Sequence, residues 1–166
     1  MNKAEHFINV AHKQREDDFG LSVLYSKISF TRAYFFEKNN QVQDSLFLQG
    51  SQSCQNAVMN HEDFIPIYIL SKGDSSFKLL SAIADAPLSI VPGLYWWAVN
   101  LGMYLNNQPV LARIKQRELL EVIMHRVISL DPGFNFSGPY RFFGSLYTRI
   151  PGIELSQSKR SEEHTS

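Results

Sequence analysis

The chain has 166 residues, 44% of them hydrophobic and 13% aromatic, with sixteen basic residues balancing sixteen acidic ones. That length suffices for one domain with its own core, and the composition is too apolar for a disordered chain. The balanced charge excludes the basic surface of a nucleic-acid binder or a polybasic membrane anchor, and a single cysteine, Cys54, excludes an internal disulfide or a cysteine-based zinc site.

No run of about 18 apolar residues occurs, so no transmembrane helix is expected. The opening stretch MNKAEHFINVAHKQREDDFG lacks the apolar h-region of a signal peptide and any lipobox cysteine. By itself that points to the cytoplasm. Asp17-Asp18 reads as a charged helix terminus or turn.

Residues 21–37 (LSVLYSKISFTRAYFFE) form the first clear helical run, closed by the turn-prone Asn39-Asn40. Residues 42–60 form the next, with Gly50, Cys54 and Ala57 at i, i+4 and i+7 on one face. Glycine inside a helix costs about 0.5–1 kcal/mol against alanine, so its presence there predicts a second helix packed close against that face. Residues 63–76, which include FIPIYIL, read as irregular because Pro66 interrupts the β-branched run. A short helix is expected over 76–84, and Pro92 suits the first turn of another that runs to about Asn106. Residues 110–130 continue the series and stop at Asp131-Pro132-Gly133. Pro139 then starts a helix that ends before Pro151. The fold class is all-α.

Helix after helix invites a search for repeats. The tetratricopeptide (TPR) pattern places a large, an apolar, a small and an aromatic residue in order along its first helix. Tyr140, Phe143, Gly144 and Tyr147 have that spacing, as do Ala98, Leu101, Gly102 and Leu105. Leu120, Met124, Val127 and Pro132 fit the second helix of such a hairpin, and Gly50, Cys54 and Ala57 fit part of it. The small residue admits the paired helix and the large ones fill the groove around it. The expected architecture is therefore TPR-like antiparallel hairpins with degenerate repeats, forming one domain over 1–159. The last seven residues, RSEEHTS, coincide with the in-frame translation of a common sequencing adapter. Residues 160–166 are accordingly read as an artefact, and the domain as incomplete at its C-terminal side.

The segments LYWWAVNLGMYL and VISLDPGFNFSGPYRFFGSLYTRIPG, preceded by FTRAYFFEKNNQVQDSLFLQGSQSCQNAV, resemble the T-component family of TRAP transporters. The resemblance runs in order from about residue 30 to 152. Its most specific pieces are Tyr95-Trp96 with Ala98 and Asn100, then Gly138, Arg141, Gly144 and Pro151. It implies a helical, TPR-like periplasmic component, often a lipoprotein, that associates with the transporter's solute-binding subunit and carries a hydrophobic channel or cleft. A homo-oligomer is a further expectation. The alternative is a cytoplasmic TPR-type scaffold that binds a peptide.

Five residues are candidates for contact with a ligand or partner. Tyr95, Trp96 and Trp97 are consecutive on a helix and point about 100° apart, so they cannot all face one core, and at least one should line a groove. Arg141 lies in a first helical turn, where a cation is disfavoured by the dipole, and should bond a carboxylate from Asp131 or a ligand. Asn100 is polar within a strongly apolar helix and is expected to cap a turn or bridge helices rather than meet a ligand. His125, one turn from Glu121, has no second histidine at metal spacing, and His6 and His12 are wrongly spaced for one metal, so no metal or cofactor is expected. Cys54 reads as a packed thiol. No Ser-His-Asp order, HExxH, Walker loop or GxGxxG is present, and the chain is read as non-enzymatic.

Overall fold

The computed structural model describes residues 3–14 and 18–149. The expected stop before Pro151 and the heptapeptide at 160–166 lie outside these residues.

All the regular structure among the described residues is helical: α1 (Lys3–Gln14), α2 (Phe19–Phe35), α3 (Asn40–Met59), α4 (Ile65–Leu70), α5 (Ser75–Ala84), a 3-10 turn (Leu88–Ile90), α6 (Val91–Leu105), α7 (Val110–Leu130) and α8 (Phe134–Arg149). Short side chains set where several of them begin. Asp18 Oδ1 accepts from the Leu21 amide at 3.0 Å, Asn39 Oδ1 from Gln41 and Val42 at 2.9 and 3.2 Å, and Asp74 Oδ1 from Phe77 at 2.9 Å. Each satisfies donors that the first helical turn leaves without a partner. Asn39 thus opens α3 as well as ending the turn before it.

Two expectations need correcting. Residues 63–76 are not wholly irregular, because Pro66 sits in the first turn of α4, where its missing N–H costs nothing. The chain before residue 19, for which no helix was expected, contains α1, which packs on α2.

Helix α6 occupies the centre. It contacts α2, α3, α7 and α8, and Val91, Leu94, Trp97, Ala98 and Asn100 are each no more than 1% exposed. A helix apolar on all sides is stable only when neighbours cover every side. The α2–α3 and α3–α6 seams are built from small residues. Ser22, Ser26, Ser29 and Ala33 are buried on α2, and Gly50, Ser51, Cys54 and Ala57 on α3. The expected close approach at Gly50 is present: a Cβ there would stand 3.0 Å from the Asn100 side chain. Gly102 is likewise covered by the Phe142 ring, 2.8 Å from an added Cβ. Gly144, which the sequence pattern equates with Gly102, has nothing within 4 Å among the described residues. No single helix among those residues is long and apolar enough to cross a membrane.

Candidate functional site

A cavity of about 360 Å³ opens between α2, α6, α7 and α8. Helix α6 forms its floor from Tyr95 to Asn106, about 16 Å at 1.5 Å rise per residue. Phe30 and Tyr34, one turn apart on α2, stack with ring centroids 5.5 Å apart and form one wall. Phe142 and Leu146 of α8 form the opposite wall. Two cationic side chains reach the lining, Arg113 from α7 and Arg141 from α8, and no acidic residue does so among the described residues. An apolar trough with a few polar groups is the usual build of a small-molecule site.

The α7–α8 junction sets the Tyr95 end. Asp131 stops α7, and its Oδ1 accepts from the Gly133 amide at 3.1 Å. Residues Asn135, Phe136 and Ser137 then adopt left-handed φ values of 48°, 57° and 57°. Gly138 is pressed so close to Tyr95 that an added Cβ would overlap its hydroxyl oxygen. Asn135 Nδ2 donates to that same oxygen at 2.9 Å. Pro139 follows, and its ring and missing N–H prevent one straight helix from running through the junction.

Of the five sequence candidates, the fold brings three to this cavity. Tyr95 and Trp96 line it from α6, and Arg141 lines it from the start of the regular part of α8. Trp96 also meets Phe30 edge-on at 5.5 Å and Tyr95 at 5.3 Å. Trp97 points elsewhere and is 1% exposed. The three consecutive aromatics thus do not share one environment: Tyr95 and Trp96 face the cavity, and Trp97 packs into the core. Asn100 is not in the lining. It is fully buried, and its Nδ2 donates to Ser26 Oγ at 2.9 Å and to the Trp96 carbonyl at 3.0 Å, so it bridges α6 to α2.

Arg141 does not bond Asp131. Its two terminal nitrogens donate to the main-chain carbonyls of Phe136 and of Asn135, the latter at 2.9 Å. These acceptors exist only because the left-handed turn aims two carbonyls at one guanidinium, a geometry that sequence spacing does not reveal. Phe30, Tyr34 and Arg113 were also missed as cavity residues. The i, i+4 pairing of Phe30 with Tyr34 was the available signal.

Two further groups named in the sequence lie away from this cavity. Cys54 is fully buried, with its thiol donating toward the Ser22 carbonyl at 3.9 Å. Burial pushes that thiol up to about 12, and a hydrogen bond with Ser26 acts weakly the other way. His125 is exposed and lies against Phe143 at 4.8 Å. A second, more polar cavity of about 470 Å³ lies between α1, α2 and α3, where His12 stacks on Tyr25 at 4.3 Å and bonds Ser53 Oγ at 2.9 Å.

Among known proteins, residues 29–165 match the family described as TRAP transporter T-component. No curated protein matches the chain.

Proposed function

Because the chain belongs to the TRAP transporter T-component family, we propose that this accessory component works without catalysis, in the periplasm, by docking the transporter's solute-binding subunit. In this reading the protein is a TPR-like scaffold, and the cavity over α6 takes an apolar or carboxylate-bearing ligand in the course of transfer. The observation that carries the ligand half is the cavity itself: aromatic and aliphatic walls, a floor made by Tyr95 and Trp96, and arginines rather than acids in its lining. Apolar walls supply affinity by excluding water, and a guanidinium supplies orientation by pairing with an anionic head.

The ligand half is tested with 1-anilinonaphthalene-8-sulfonate, an aromatic anion, followed by fluorescence. The intact chain should bind it at a saturable site. Replacing Trp96 by Ala should weaken binding about tenfold or more, as for a buried aromatic anchor. Decanoate should displace the probe better than decanol. A probe that binds without saturation, or equally well to the Trp96→Ala variant, rejects the cavity as the site. The docking half is tested by co-elution with the solute-binding subunit of the same transporter; failure to co-elute together with capture of an extended peptide would favour a peptide scaffold instead.

A further inference from the structure

The junction between α7 and α8 is built in an unusual way for a simple connection. Three successive non-glycine residues, Asn135, Phe136 and Ser137, hold left-handed φ and ψ angles. For L-residues this conformation brings Cβ against the following carbonyl, and it occurs mostly at single positions. A run of three persists only where surrounding contacts impose it.

Those contacts are few. Arg141 donates to the carbonyls of Phe136 and Asn135, and Asn135 Nδ2 donates to the Tyr95 hydroxyl. One further bond, from the Ser137 amide to the Gly133 carbonyl at 3.1 Å, closes the turn. Packing anchors the two ends of the segment, where Phe134 meets Tyr95 at 5.2 Å and Gly138 is buried against the same ring. The Phe136 side chain between them is 90% exposed and contributes almost nothing to holding the turn. Asn135, Gly138 and Arg141 all line the cavity beside Tyr95 and Trp96.

We propose that residues 135–138 are a latch over the Tyr95 end of the cavity, held shut by the Arg141 guanidinium and the Asn135–Tyr95 hydrogen bond. It opens when those bonds release and the three left-handed residues relax. The closed state stores backbone strain and is gripped by the solvent-exposed Arg141 bonds, so the two states lie close in free energy. An anionic group arriving at the rim competes with the two carbonyls for Arg141, which couples ligand entry to opening. The latch rests on the reading of the cavity as a ligand site, but its motion can be measured without any ligand.

The experiment is acrylamide quenching of the native tryptophan fluorescence, since Trp96 stands behind the latch. Arg141→Gln removes the charged grip and should raise the quenching constant about twofold. Tyr95→Phe removes only the hydroxyl that accepts from Asn135 and should act in the same direction. Ser137→Gly should lower the constant, because glycine holds a left-handed conformation without the Cβ penalty and favours the closed state. Opposite shifts from Tyr95→Phe and Ser137→Gly, at unchanged circular dichroism, would uphold the latch even if Arg141→Gln failed to fold. Identical quenching in the parent, Tyr95→Phe and Ser137→Gly proteins would overturn it. Stopped-flow binding of 1-anilinonaphthalene-8-sulfonate separates the two readings. Shifted quenching with no saturable binding leaves the latch standing and removes the ligand site. Saturable binding with unshifted quenching does the reverse.

Discussion

The seam between α3 and α6 and the outer helix α8 carry the same sequence signal, a small residue set among large ones, yet they fold to opposite outcomes. At Gly50 the signal means close contact, with Asn100 only 3.0 Å from where a Cβ would stand. At Gly144 no neighbour stands within 4 Å among the described residues. The seam is enclosed by α2, α3 and α6 together and buries Ser26, Cys54 and Asn100 completely. Helix α8 packs on α7 and on α6 but leaves Tyr140 53% exposed. A small residue permits close packing. It does not supply the neighbour.

The largest expected effect tests how dry the seam is. Cys54 has an ordinary value of 9.0 that burial raises to about 12, so the folded state keeps a proton that the unfolded chain releases. Stability from this group is full below pH about 9 and is lost as pH rises toward about 12, at about 1.4 kcal/mol per pH unit, on the order of 4 kcal/mol in all. Urea unfolding of the parent and of Cys54→Ala from pH 8 to 11 should show the extra slope in the parent alone. Parallel curves would mean that the seam admits water.

A second comparison uses the two glycines directly. Gly50→Val forces two methyl groups toward Asn100 and should cost about 1–3 kcal/mol through overpacking. Gly144→Ala meets nothing among the described residues and should stabilise by about 0.5–1 kcal/mol, through helix propensity alone. Measured by chemical denaturation, the two substitutions should have opposite signs. Equal destabilisation at both would show that α8 has a covering partner at Gly144.

The smallest effect probes the α7–α8 side. Arg117 Nε donates to Glu121 Oε1 at 2.8 Å across one turn of α7, with side chains 41% and 23% exposed. Such a pair contributes about 0.3–0.5 kcal/mol and is screened by salt. The Tyr147 hydroxyl on α8 is raised, chiefly by burial and then by the Glu121 charge. Glu121→Gln should therefore lower thermal stability slightly at low salt, less at high salt, and bring the Tyr147 titration down. An unmoved Tyr147 titration would separate the two helices electrostatically.

Much of the helical order was legible in the sequence for local reasons. Proline in a first turn, aspartate and asparagine caps, and the stop at Asp131-Pro132-Gly133 act within a few residues and do not wait for tertiary contacts. The run 110–130 matches α7, and of the three consecutive aromatics Tyr95 and Trp96 lie in the cavity lining. Helix α4 escaped because six residues give too little periodicity to outweigh β-branched content. The roles of Trp97 and Arg141 and the partner of Asn100 escaped for a different reason.

What the sequence determined alone was the all-α class, the longer helices from α2 onward and the family to which they belong, because these follow from residue order and short-range chemistry. Only the tertiary structure decided which polar group each buried or strained residue would find. Asn100 reached Ser26, 74 positions away, and Tyr95 reached Asn135, 40 away. Arg141 found two carbonyls that a left-handed turn placed within reach. Hydrogen-bond partners of this kind depend on distance in space, and spacing along a chain fixes that distance only within a single helix.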